Sequence, residues 1–206
     1  MIKTQSKSSL FKSQEIQSNK GLKYPFNSYS SFIYLILLTN YYNKNINLFN
    51  FIGIFIIISL TISSYLWWGY RNIYIHKIDI ISYSSIIFYL GFLILINNYE
   101  SYNIKLYITI LFIILIFFII FIVNNNYRFL IKITNIISVS FSTCLVLQQN
   151  LTFNRTFGLF LIFLSISLKI CDTYYIIDFN KFKLCSGTGW FHIISGIGLH
   201  YLMEIN

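Results

Sequence analysis

The stretch Ile104–Val123 reads IKLYITILFIILIFFIIFIV, and every residue from Leu111 to Val123 is apolar. An α-helix needs about 20 predominantly apolar residues to cross a hydrocarbon core about 30 Å thick. A strand of a transmembrane barrel would alternate polar and apolar residues, and an open sheet would leave hydrogen bonds unsatisfied in lipid. This stretch therefore predicts a transmembrane α-helix.

Six further apolar stretches lie on either side of it, and most are shorter or carry more polar residues. They are Ser28–Tyr42, Leu48–Trp68, Ile78–Ile96, Phe129–Leu147, Thr156–Ile170 and Gly187–Met203. The chain of 206 residues is 56% hydrophobic and only 10% charged, whereas soluble proteins carry about 25% charged residues. The sequence thus predicts an all-α, polytopic membrane protein, with a bundle of seven transmembrane helices over residues 25–206.

The basic residues predict how this bundle is oriented. Residues 1–24 form a polar tail with five lysines and a single acidic residue, Glu15. If this tail is cytosolic, twelve Lys and Arg residues fall on the inner side, and only Lys44, Lys105 and Arg155 fall on the outer side. Because cytoplasmic loops of membrane proteins are enriched in Lys and Arg, we expect a cytosolic N-terminus. The formal net charge of +9 then indicates membrane orientation, and we expect no nucleic-acid partner.

A few polar residues inside the predicted spans converge on one end of the bundle. Ser64 and Trp68 share a face at the end of the second span, Asp79 opens the third, and Thr188 and His192 share a face at the start of the seventh. Each has an ordinary explanation, such as a serine bonded to its own helix, a capping aspartate or a histidine paired in the core. Their common depth makes them a candidate site, since ionisable residues inside a membrane usually face the bundle interior.

Three short motifs resemble one family. The segment Thr188–Gly198, TGWFHIISGIG, resembles the last helix of alkaline ceramidases, which reads HAxWHxLxGxG and belongs to the CREST superfamily of seven-span membrane proteins. The segment Pro25–Ser31, PFNSYSS, resembles the family's FxNTxSN at the start of the first span. Ser64, Trp68 and Asp79 follow the spacing of its S-x3-H-x10-D motif. The resemblance covers about residues 25–203.

The resemblance implies a zinc site that this chain has altered. In the family, three histidines hold zinc, and the serine and the aspartate position and activate the zinc-bound water. Here Trp68 and Thr188 stand at two of the histidine positions, so that only His192 remains. A catalytic zinc normally has three protein ligands and a water. Asp172 could match an acidic residue at the end of the sixth span.

Two further comparisons with the family concern cations. His76 precedes Asp79 by three residues and could serve as a substitute ligand, which would give a set of His76, Asp79 and His192. The family's calcium site uses acidic residues just before the first span. The segment Lys20–Tyr24 has none, and calcium needs several oxygen ligands.

Two functions follow as expectations. The first is a non-catalytic relative of the ceramidases that binds a membrane lipid, such as a ceramide-like lipid, or a protein partner. The alternative is an active, metal-dependent hydrolase of linear amides, in which zinc is held by the altered ligand set, Ser64 stabilises the oxyanion and Asp79 is the general base. The resemblance implies an endomembrane of the ER or Golgi kind. It also predicts that replacing Trp68 and Thr188 with histidine recreates a zinc site.

Overall fold

The computed structural model describes residues 21–42, 47–148, 152–179 and 186–203. Within these ranges the chain is helical and contains no strand, which confirms the all-α class. The elements are α1 (Pro25–Ser30), continued directly by a 3-10 helix (Ser31–Tyr41), α2 (Leu48–Tyr70), α3 (Ile73–Asn98), α4 (Tyr102–Asn124), α5 (Arg128–Gln148), α6 (Phe153–Thr173) and α7 (Gly187–Met203). Most of the predicted N-terminal tail lies outside the described residues.

Five helices, α2 to α6, are long enough and apolar enough to cross a membrane. The other two segments are shorter in sequence. The 6 residues of α1 and the 11 of the 3-10 helix give an axial length of about 31 Å, because a 3-10 helix rises about 2.0 Å per residue and an α-helix about 1.5 Å. The 17 residues of α7 give about 26 Å.

The turn between α2 and α3 places the two helices side by side with their polar ends together. Arg71 ends α2 in the left-handed conformation, with φ of 58°, and Asn72 caps α3 by accepting hydrogen bonds from Tyr74 N at 2.9 Å and Ile75 N at 3.4 Å. As a result, α3 begins five residues before the predicted start at Ile78. His76 therefore lies in the helix, and Asp79 lies on its second turn.

α3 is the central helix of one half of the bundle, where it packs against α2, α4 and α5. Aromatic rings fill this part of the core. Tyr89 is fully buried, stacks on Phe49 with ring centroids 4.6 Å apart and accepts a hydrogen bond from the Tyr41 hydroxyl at 2.7 Å. In the other half, α7 packs against α6 and against the 3-10 helix.

Glycine residues allow α6 and α7 to approach closely. A Cβ atom placed on Gly198 would lie 3.0 Å from the Gly158 carbonyl oxygen, and one placed on Gly158 would lie 2.9 Å from the Gly198 carbonyl oxygen. Small residues at helix interfaces permit such backbone contact in membranes. This contact holds α7, the helix that carries His192, against α6.

Candidate functional site

Six residues from four helices form what we call the polar centre: Ser64, Asp79, Lys169, Asp172, Thr188 and His192. The Ser64 hydroxyl is a hydrogen-bond partner of the Asp79 carboxylate, and it also accepts a hydrogen bond from Ser31 Oγ at 3.0 Å. Ser64 thus joins α2 to α3 and to the 3-10 helix. Ser64 is buried, whereas Asp79 is half-buried.

The predicted histidine lies in the same centre and has a defined orientation. His192 is buried, and its Nδ1 lies 3.2 Å from the Asn27 carbonyl oxygen and 2.9 Å from Ser30 Oγ. The Ser30 hydroxyl proton is itself donated to Asn27 O at 3.0 Å. Because a carbonyl oxygen can only accept, we infer that Nδ1 carries the imidazole proton, which leaves Nε2 as an acceptor.

The segment Pro25–Ser31 is hydrogen-bonded to α2, to His192 of α7 and to Ser186. Asn27, Ser28 and Ser31 are fully buried, and the Asn27 side-chain oxygen accepts a hydrogen bond from Ser186, just before α7. Ser31 donates to Ser64. The three sequence motifs that carry the ceramidase resemblance therefore contact one another in the fold.

Trp68 and Thr188, the two positions at which the resemblance expects histidine, both border the centre. The Trp68 ring is 3% exposed, and its centroid lies 6.2 Å from that of the His192 ring. Thr188 donates its backbone N–H to Asp172 Oδ2 at 2.9 Å and its hydroxyl to the same oxygen. Asp172 thus caps the first turn of α7, where a negative charge is favourable.

Sequence reasoning missed Lys169 as a site residue and counted it only among the twelve basic residues of the inner side. Lys169 lies on α6, one turn before Asp172, and its Nζ donates a hydrogen bond to Thr188 Oγ1 at 2.7 Å. The same ammonium lies 5.1 Å from the centroid of the Trp68 ring. Lys169 lies at the end of the predicted sixth span and Asp172 just beyond it, and their spacing of three residues is a signal that could have found this pair.

His76 lies in a neighbouring stack. Its ring is parallel to that of Trp67, with centroids 3.9 Å apart and an interplanar angle of 13°. The Arg71 guanidinium also lies 3.9 Å from the centroid of the Trp67 ring, and burial lowers the pKa of Arg71 from its usual value. In the described part of the chain, no three His, Cys, Asp or Glu residues form a group that could hold a metal ion.

An apolar cleft begins one helical turn from the polar centre. α3 and α5 line it on one side, and α6 and α7 line it on the other. Its cavity volume is about 60 Å³. Tyr34, Tyr83 and Ser195 lie at its polar end, where Tyr34 and Ser195 are hydrogen-bonded at 3.2 Å, and the charge of Asp79 acts on both tyrosines. Most of the remaining lining residues are leucine, isoleucine or valine.

No family model, curated protein or solved structure matches this chain. The structure by itself establishes a helical protein with five helices that could cross a membrane. The likeness to ceramidases therefore depends on the three motifs and on the contacts that their residues make.

Proposed function

We propose that this chain is a seven-span membrane protein of the ceramidase-like type that binds an amphiphilic lipid without hydrolysing it. The observation that carries the proposal is an apolar cleft that begins one helical turn from the polar centre. A cleft lined mostly by aliphatic side chains has the chemistry to contact an acyl chain, and the hydroxyls of Tyr34, Tyr83 and Ser195 have the chemistry to contact a polar head. A ceramide-like lipid, with hydroxyl and amide groups on its head, has this chemistry.

Two lengths and one charge pattern support seven spans. The α1 and 3-10 segment reaches about 31 Å and α7 about 26 Å, compared with about 30 Å for the hydrocarbon core. The excess of Lys and Arg on one side favours a cytosolic N-terminus in an endomembrane. Protease added to sealed microsomes should remove an epitope tag from the N-terminus and leave a C-terminal tag intact. Protection of the N-terminal tag would contradict this orientation.

The side chains of the centre do not fit a zinc ion. His192 is its only imidazole, since His76 is stacked on Trp67. The Lys169 ammonium contacts Thr188 and the Trp68 ring, which are the positions from which two ligands would come. We therefore expect binding without metal-dependent hydrolysis.

One observation favours the alternative function of an active amidase. Ser64 and Asp79 are paired as an oxyanion donor and a general base would be. The discriminating assay follows release of fatty acid from an N-acylsphingosine by the purified protein in lipid nanodiscs. We expect no release above that of the Asp79→Asn variant. Release that depends on Asp79 would establish the hydrolase instead.

Binding can be tested with a matched pair of variants on α6. Ile166 lines the cleft, whereas Phe163, one turn away, is 57% exposed on the outer surface of the bundle. A tryptophan in place of Ile166 should fill the cleft and reduce capture of a photoactivatable N-acylsphingosine at least about tenfold, equivalent to about 1.4 kcal/mol. Phe163→Trp should capture as much as the wild type. Equal capture by both variants would contradict binding in the cleft.

A further inference from the structure

An ammonium group that belongs to the chain lies in the middle of the polar centre. Lys169 Nζ donates a hydrogen bond to Thr188 at 2.7 Å and lies over the face of Trp68, 5.1 Å from the ring centroid. A cation is attracted to an aromatic face at this distance. The two residues that Lys169 contacts are the two that stand where the ceramidase resemblance expects zinc-binding histidines.

Two carboxylates from different helices act on this ammonium. Asp172 of α6 is held by the N–H and the hydroxyl of Thr188, and Asp79 of α3 is held by Ser64. The negative charges of both act on Lys169. Carboxylates removed from water need a nearby cation to stay ionised. In a metal site a bound ion supplies that charge, whereas here a side chain of α6 supplies it.

The other charged and titratable groups around Lys169 disfavour an additional cation. The Arg71 guanidinium lies 5.0 Å from the centroid of the Trp68 ring, and its positive charge acts on Lys169. With its Nδ1 proton directed at the Asn27 carbonyl oxygen, a neutral His192 offers one lone pair, at Nε2. A divalent ion would therefore meet two positive groups and a single imidazole, and it would have to displace the ammonium from its hydrogen bond to Thr188.

We propose that Lys169 is a tethered cation that takes the place of a bound metal ion. It neutralises Asp79 and Asp172 and excludes a metal from the polar centre. The inference rests on these contacts and holds whether or not an amphiphile binds in the cleft. A covalently attached cation has no dissociation equilibrium, so the centre is expected to keep its structure in the presence of chelators.

The wild-type protein provides the first test and needs no substitution. After purification in detergent with zinc in every buffer and then gel filtration, elemental analysis should find far less than one zinc per chain. The Tm should be the same with added zinc and with EDTA. A zinc content near one per chain, or a Tm that EDTA lowers, would overturn the proposal.

The second test asks whether Lys169 itself excludes the metal. The double variant Trp68→His/Thr188→His adds two imidazoles around His192. The ceramidase resemblance alone predicts that this variant binds zinc, whereas we expect it to retain none because the Lys169 ammonium remains. Adding Lys169→Met should allow about one zinc per chain, and zinc should raise the Tm by about 5–10 °C. As a matched control, Lys132, an exposed lysine on α5, is changed to methionine in the same double variant, which should still retain none.

Two outcomes of the second test contradict the proposal. If the double variant binds zinc with Lys169 present, the ammonium does not exclude a metal. If the triple variant folds and binds none, the ammonium does not stand at a metal position. Neither outcome bears on capture of the lipid probe, so a failure here is distinguishable from a failure of the proposed function.

A charge-removal series covers the case in which loss of Lys169 prevents folding. Lys169→Met alone leaves two carboxylates without their cation and should lower the Tm by about 10 °C or abolish folding. Adding Asp79→Asn should restore part of the lost Tm, because one uncompensated charge is removed. If Asp79→Asn lowers the Tm equally with and without Lys169, the two groups are not coupled and the proposal fails.

Discussion

α3 and α4 are neighbours in sequence and in space, yet they contribute to the molecule in opposite ways. α4 is the more apolar helix, and 28% of its most apolar 18-residue window is buried, compared with 56% for α3. α3 carries Asp79 and several serines. In water the most apolar helix would be the most buried, but lipid solvates apolar side chains as well as a protein core does. The comparison teaches that hydropathy locates the spans, whereas polar residues within spans locate the interior.

The largest loss of stability is expected for a substitution of Tyr89, in the buried helix α3. Tyr89→Ala removes a fully buried ring that stacks on Phe49 and is hydrogen-bonded to Tyr41. We expect the free energy of unfolding to fall by about 4 kcal/mol, measured by denaturant titration in mixed micelles. A loss of less than about 1 kcal/mol in the free energy of unfolding would contradict the central position of α3 in the core.

A second prediction compares the two faces of α4. Phe112 is fully buried against Phe92, with ring centroids 5.1 Å apart, whereas Phe117 is 66% exposed. Phe112→Ala should lower the free energy of unfolding by about 3 kcal/mol because it leaves a cavity. Phe117→Ala should change it by no more than about 0.5 kcal/mol. Equal losses would mean that the outer face of α4 is covered by another protein surface.

The smallest expected effect concerns the polar contact that joins α3 to α5. Ser84 Oγ donates a hydrogen bond to Asn135 Oδ1 at 2.7 Å. Ser84→Ala should lower the free energy of unfolding by about 0.6 kcal/mol, a typical value for hydrogen bonds between membrane helices. Ser140→Ala, at an exposed position of α5, is the control and should have no measurable effect. A loss of several kcal/mol at Ser84 would show that polar contacts dominate this interface.

Most of the helical architecture could be predicted from the sequence, because apolar runs of spanning length leave few alternatives. The start of α3 was placed five residues too late, since His76 and Lys77 suggested a loop. Asn72 directly precedes the first residue of α3, Ile73. Asparagine is a common N-cap residue, so Asn72 is the sequence signal that marks the start of the helix. Long-range details, such as the stack of His76 on Trp67, depend on how two helices meet and leave no pattern in a single segment.

Ser64, Asp79 and His192 were predictable as a group because all three lie at the same end of the bundle. Lys169 was not, since a lysine near the end of a span looks like an ordinary interfacial residue that extends toward water. Its direction toward Thr188 depends on the close approach of α7 to α6 at Gly187, where an added Cβ atom would meet the Leu168 carbonyl oxygen. A count of charges along the chain cannot distinguish a lysine that extends toward water from one that points into the bundle.

The tight winding of Ser31–Tyr41 links the polar centre to the thickness of the bilayer. If this segment rewound to an α-helix, it would shorten by about 5 Å and its far end would rotate by about 220° relative to its start. The rotation would be about 60° at Tyr34 and about 180° at Asn40, which would disturb the Tyr34–Ser195 and Asn40–His200 contacts, each now 3.2 Å long. In a thinner membrane, hydrophobic mismatch favours the shorter form while these contacts oppose it. We therefore expect membrane thickness to affect the contacts that Tyr34 and Asn40 of the 3-10 helix make with α7.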